Sequence, residues 1–200
     1  MAKLLNQQKH ADQRTRLLAH ARRLFAVHGV KETSMSQIAR ACKVTKATLY
    51  HYFKNKEAIL KEILHVVGQN LEVNQQSVQP RNLEECLNQI ARAHLKQMEQ
   101  PETLEVMKIT ISEIMKNTEV QKFHMTVLMD IISRGAQTVG VFIPEKKSEK
   151  ELRLIFFQFM ASLYHYDWYI KMIGDPTGFI GGEEAFIQQL VKTYTQTFQS

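Results

Sequence analysis

The chain has 200 residues, 44% of them hydrophobic, with a formal net charge of +6 and a pI near 9.3, enough apolar material to build a core in one ordinary domain or two small ones. No apolar run approaches the roughly 18 residues that a membrane span needs, and the opening MAKLLNQQKH turns polar at once, so neither a membrane span nor a signal peptide is expected and the protein is read as cytoplasmic. The two cysteines, Cys42 and Cys86, lie far apart with no CxxC spacing, which argues against a zinc knuckle or a disulfide framework and for two small buried hydrophobes.

Charge is unevenly distributed. Residues 1–54 hold 11 Lys and Arg against 2 Asp and Glu, a net of +9, whereas residues 55–200 hold 15 against 18, a net of −3. Basic charge confined to one patterned, apolar-bearing segment is the electrostatic footprint of a contact with nucleic acid or an anionic surface.

From about Asp12 to Val27, Leu17, Ala21, Leu24 and Phe25 recur at three and four, and Gly29 follows as a terminator, which predicts a first helix. Arg14, Arg16, Arg22 and Arg23 surround its stripe. Thr33 or Ser34 can cap a short second helix with Met35, Ile38, Ala39 and Cys42 inward. After Lys43 and Val44, Thr45 is a natural N-cap for a third helix that ends near Phe53. Two short helices joined by so tight a turn cross steeply, which is the helix-turn-helix arrangement. From Asn55 a longer fourth helix carries Ile59, Ile63, Val66 and Val67.

Pro80, Pro101, the stretch Ile143-Pro144-Glu145-Lys146 and GDPTG at 174–178 punctuate the remainder. Between them the pattern predicts helices over 83–100, 102–116, 119–140, 148–173 and 182–197. With no convincing β alternation, the whole chain reads as all-α with about nine helices.

The third helix carries the chemistry. With Leu49 and Phe53 turned inward, Lys46, Ala47 and Tyr50 project outward, and Thr45 and Thr48 can reach the backbone. A helix that enters a major groove needs a free N-terminal turn, small residues that allow close approach, and polar tips for phosphates and base edges. Ala47 is small, Tyr50 and His51 can each donate to phosphate, and Lys54 and Lys56 can reach flanking phosphates.

The segment from about Arg14 to Leu60, with LFAVHGVKETSMSQIA and then ACKVTKATLYHYFKNKEAIL, resembles the N-terminal DNA-binding domain of TetR-family transcriptional regulators. The resemblance implies DNA contact at Ser34, Thr45, Lys46, Thr48, Tyr50, His51 and Lys56. One departure stands out: the family usually has Gly where this chain has Lys43, so the turn must place a non-glycine residue in a conformation that glycine tolerates better.

The resemblance also implies an all-α ligand-binding and dimerisation domain, here residues 55–200 after a DNA-binding domain of residues 1–54. LRLIFFQFMASLYHYDWYIKMI is apolar or aromatic on nearly every side, as a helix buried on two faces is. One face can meet its copy in a second subunit, with FIQQLVKTYTQTF completing a four-helix interface, an arrangement that the resemblance implies. Such a dimer sets two recognition helices about 34–36 Å apart and calls for a near-palindromic operator. The other face, with Phe159, Met160, Tyr164 and Trp168, is a candidate cavity wall. Met98, Met125 and Met129 add flexible thioethers suited to an adaptable apolar pocket.

His94, His124 and His165 lack partners at metal-ligand spacing, and His165-Tyr166-Asp167 has no nucleophile beside it. No metal, cofactor or catalytic residue is therefore expected. The expected function is a dimeric DNA-binding regulator, most readily a repressor released from its operator by a small, largely apolar effector whose identity the sequence leaves open. The alternative is an all-α small-molecule carrier or enzyme whose basic N-terminus serves an acidic partner protein.

Overall fold

A computed structural model describes residues 2–73, 80–143, 147–172, 174–175, 178 and 181–199. Among these residues there are nine helices and no strand, as the periodicity predicts: α1 (Ala2–His28), α2 (Met35–Ala41), α3 (Lys46–Tyr52), α4 (Lys56–Val73), α5 (Leu83–Met98), α6 (Pro101–Ile114), α7 (Thr118–Gly140), α8 (Glu149–Met172) and α9 (Gly182–Gln199). Of the expected punctuation, Pro144–Lys146, Pro176 and Thr177 lie outside the described residues. So do Ile173 and the side chains of Val66 and Val67.

The largest departure is at the start, where α1 begins at Ala2 rather than near Asp12. Residues 2–11 contain no Gly or Pro and are mostly Lys, Leu, Gln and Ala, all good helix formers. Residues 8–12 are exposed, so this turn of helix has no apolar stripe by which periodicity can find it.

By packing, the chain divides into two compact units, residues 1–70 with 101–124, and residues 71–100 with 125–200. In the first, Leu17, Ala21 and Phe25 of α1 meet Ile38, Ala39 and Cys42, then Leu49 and Phe53, in one core. Ile59 and Ile63 of α4, Val106 and Ile109 of α6, and Val120 complete it. The packing of α1 on α6 was not legible from local patterns. It is framed by Arg22, whose guanidinium donates to Glu105 at 2.6 Å and reaches Glu102 at 3.3 Å.

In the second unit α9 packs on α5 and α8, and α5 on α8. The core includes Leu87, Leu95, Phe156, Phe159, Leu163 and Ile187. Gly135 of α7 lies against Phe156 so closely that a Cβ there would stand 2.0 Å from the ring carbon Cε1. Both cysteines are buried and free, and burial pushes the Cys86 thiol up to about 11, consistent with their expected role as apolar filler.

Candidate nucleic-acid interface

The α2–turn–α3 hairpin is built by caps. Ser34 is the N-cap of α2: its hydroxyl accepts from the amide of Gln37, and the Gln37 side chain returns to the Ser34 amide, satisfying two otherwise orphaned donors. This settles the choice between Thr33 and Ser34. Thr33 instead is buried and donates its hydroxyl to the Gly29 carbonyl at 2.8 Å.

At the other end of α2, the amide of Val44 donates to the carbonyl of Ala39 and that of Lys43 to Arg40, each at 3.0 Å. That pair of bonds is the Schellman motif, which requires a left-handed residue after the cap. Lys43 occupies that position with φ +56°, the one non-glycine residue at positive φ among those described. The strain expected where glycine is missing is therefore present.

Thr45 then caps α3, its hydroxyl accepting from the Thr48 amide at 3.0 Å and lying 2.8 Å from the Thr48 hydroxyl. Leu49 and Phe53 turn into the core. Lys46, Ala47, Tyr50 and His51 are exposed, as are Ser34, Thr45 and Lys54, while Thr48 is half-buried. Ala47, Tyr50 and His51 share one face at the three- and four-residue spacing of a helix.

Two features escaped sequence reasoning. His51 is flanked by rings: His10 of α1 stacks on Tyr52 at 4.4 Å, and both approach His51 edge-on. Several basic groups also act inside the head. Arg16 donates to the Cys42 carbonyl at 2.9 Å, and Arg14 donates to the Tyr52 carbonyl, pairs with Glu62 and lies over the Phe53 ring. These cations hold the carbonyl ends of α2 and α3, where the helix dipole favours positive charge. Lys56 is likewise engaged, its ammonium donating to the carbonyls of Val30 and Lys31 at 2.8 Å and Thr33 at 3.2 Å. No local sequence signal marks such bonds, because the partners are backbone atoms far away in the chain.

Beside Tyr50 a shallow recess of about 290 Å³ is lined by Thr33, Ser34, Met35, Asn55 and Lys56. Two exposed carboxylates, Glu32 and Glu57, also line the recess; the exposed polar side chains across α3 and its cap are instead a hydroxyl, a phenol, an imidazole and an ammonium group. That chemistry suits an anionic, groove-bearing polymer.

The seven candidate effector residues are less coherent. Phe159, Met160 and Met98 are buried, whereas Met125, Met129 and Trp168 are exposed and Tyr164 is intermediate. Phe159 and Trp168 are nine positions apart on α8, which at 3.6 residues per turn puts them on about opposite faces, so one wall does not contain both. The face that holds Trp168 also exposes Leu154, Phe157 and Tyr169.

In the second unit His94 Nε2 approaches Asp167 Oδ2 at 3.0 Å, both side chains almost fully buried, with the Tyr164 ring edge-on to His94 at 4.6 Å. Burial, with the Asp167 charge adding to it, raises the Tyr164 phenol above its ordinary range. His94 is thus a core histidine with a carboxylate beside it. His165 is exposed and Tyr166 stacks on Phe186, so the His165-Tyr166-Asp167 run is split among three directions.

The family model for the N-terminal domain of bacterial regulatory proteins of the tetR family matches residues 17–63, which is the span just described. Residues 17–63 are a TetR-type N-terminal domain. Among its relatives, the HTH-type transcriptional regulator UidR of Escherichia coli K12 is 41% identical over 51 residues, 26% of each chain. The HTH-type transcriptional repressor KstR2 of Mycolicibacterium smegmatis is 39% identical over 54 residues, 27% of this chain and 26% of that one. These matches thus span about a quarter of the relatives' length. The structure of the flavonoid-responsive regulator FrrA matches 94% of this chain and 95% of its own with a TM-score of 0.68 at 21% identity, a likeness of fold. The chain thus carries a TetR-type N-terminal helix-turn-helix domain within a fold that is all-α among the described residues.

Proposed function

We propose that the chain is a homodimeric transcriptional repressor that binds a near-palindromic operator in double-stranded DNA and is released by a small, largely apolar effector. The single observation that carries the DNA reading is the face of α3, where Lys46, Ala47, Tyr50 and His51 stand exposed over a buried Leu49, on a segment with net charge +9. Ser34, Thr45, Thr48 and Lys54 flank that face. The part that meets DNA is residues 1–54, and residues 55–200 carry subunit contact and effector response; no catalytic role is assigned to any residue, and the working compartment is the cytoplasm.

Dimerisation is supported by α8, on which Leu154, Phe157, Trp168 and Tyr169 are all more than 40% exposed, more apolar surface on one helix face than isolated exposed residues would give. Repression draws on the name of KstR2, and effector release on that of the flavonoid-responsive FrrA. Release requires only that the effector prefer a geometry that DNA disfavours.

Selection of bound duplexes from a random library, with sedimentation of the protein, tests this reading. A near-palindromic consensus bound by a dimer is expected, and Phe157→Glu should sediment as a monomer and lose the selected site. A monomeric wild-type protein at micromolar concentration, or a library that yields no enrichment, would rule the reading out.

A further inference from the structure

Among the side chains expected to contact DNA, Lys56 is the one whose surroundings fit that role least. It sits in the first turn of α4, half-buried, and its ammonium meets three carbonyls, those of Val30, Lys31 and Thr33. An ammonium has three hydrogens and no more. All three acceptors belong to the loop that joins α1 to α2, and the last directly precedes the Ser34 cap.

We propose that Lys56 is a positioning residue, a clip that fastens the start of α4 to the 30–33 loop and so sets the placement of α2 and, through the hairpin turn, of α3. The loop is held from two sides. Thr33 is anchored to the Gly29 carbonyl at the end of α1, and Lys56 gathers the carbonyls that this turn leaves pointing towards α4. A phosphate contact would require the ammonium to abandon these acceptors, and the Val30 residue that carries one of them is itself buried. Displacement of the first turn of α4 is carried by the clip to the α2 cap, whose intact state is read by the amides of Gln37 and Ile38, bonded to the Ser34 hydroxyl and carbonyl.

This inference rests on the DNA-binding reading for its affinity arm and is independent of it for its exchange arm. The variants are Lys56→Met, which keeps the stem without donors, and Lys56→Arg, which keeps the charge but has a planar fork that cannot converge on three carbonyls. Affinity for the selected operator is measured against salt at a temperature where circular dichroism shows both variants folded, and amide exchange is followed in the same samples. A clip predicts that both variants bind more weakly by about tenfold on operator and shuffled duplex alike, with the salt slope of the wild type, because no phosphate contact is lost. It also predicts faster exchange at Gln37 and Ile38 in both.

A slope smaller by about 0.9 in Lys56→Met, with the wild-type slope and affinity regained in Lys56→Arg, would identify a phosphate ligand instead. Unchanged affinity in both variants would equally overturn the proposal. If the wild type itself ignores DNA, the functional reading fails while the exchange arm still decides: unaltered exchange at the two amides overturns the clip. Should Lys56→Met not fold, Lys56→Gln, which keeps part of the donor set, takes its place.

Discussion

Replacing Lys43 by glycine removes a cost that the fold carries at the turn of its helix-turn-helix. At φ +56° an L-residue is disfavoured by about 1–2 kcal/mol, and the Schellman bonds of Val44 and Lys43 keep it there. Glycine relieves this but gives back roughly 0.4–1 kcal/mol through the greater freedom of its unfolded chain. The net expectation is a gain of about 0.5–1 kcal/mol, read by urea unfolding as a higher midpoint with an unchanged slope. Lys43→Ala is the control, since it removes the same exposed charge and keeps the strain. If the alanine variant gains as much as the glycine variant, charge relief rather than backbone geometry is responsible, and the reasoning fails. Duplex affinity measured on both variants then isolates what the ammonium contributes to DNA binding, because the two share its loss.

Thr45→Ala removes the hydroxyl that caps α3 and should lower stability by about 1 kcal/mol in the same urea assay. Gly135→Ala drives a methyl into the buried Phe156 ring and should cost about 1–3 kcal/mol as overpacking does; adding Phe156→Leu should restore part of the loss, and simple additivity of the two would contradict the contact. Burial holds the pKa of His124 below its ordinary value. Below a pH of about 6.5 the unfolded chain therefore binds a proton that the folded chain resists, so stability is full above that pH and falls as the pH is lowered through the depressed folded value. His124→Asn should flatten that part of the stability profile, and an unaltered profile would refute the assignment.

The hairpin was legible because its signals are local. Thr45 before a helical run, and Leu49 and Phe53 four apart, specify a cap and an inward face without reference to the rest of the chain, whereas only the bonds to Gln37 separate Ser34 from Thr33 as the cap of α2. The missing glycine at Lys43 was visible from the resemblance and emerged as the positive φ. What stayed hidden depends on distant partners: the Lys56 carbonyl set, Arg14 with Glu62, the packing of α6 on α1, and His94 beside Asp167.

In α8 the difficulty was of another kind. Apolar residues lie on both its buried and its exposed faces, so composition could not tell Phe159, which fills the core, from Trp168, which faces outward. The N-terminal part of α1 was missed because residues 8–12 are exposed and their helix rests on propensity, which leaves no periodic mark.

Presentation of α3 to duplex DNA by the basic head is read out by the salt dependence of duplex binding. If about six phosphates are neutralised, the affinity constant should fall by about a thousandfold between 50 and 200 mM salt, with a log–log slope near −0.9 per phosphate. An affinity that does not change with salt, or no duplex binding even in dilute buffer, would contradict it.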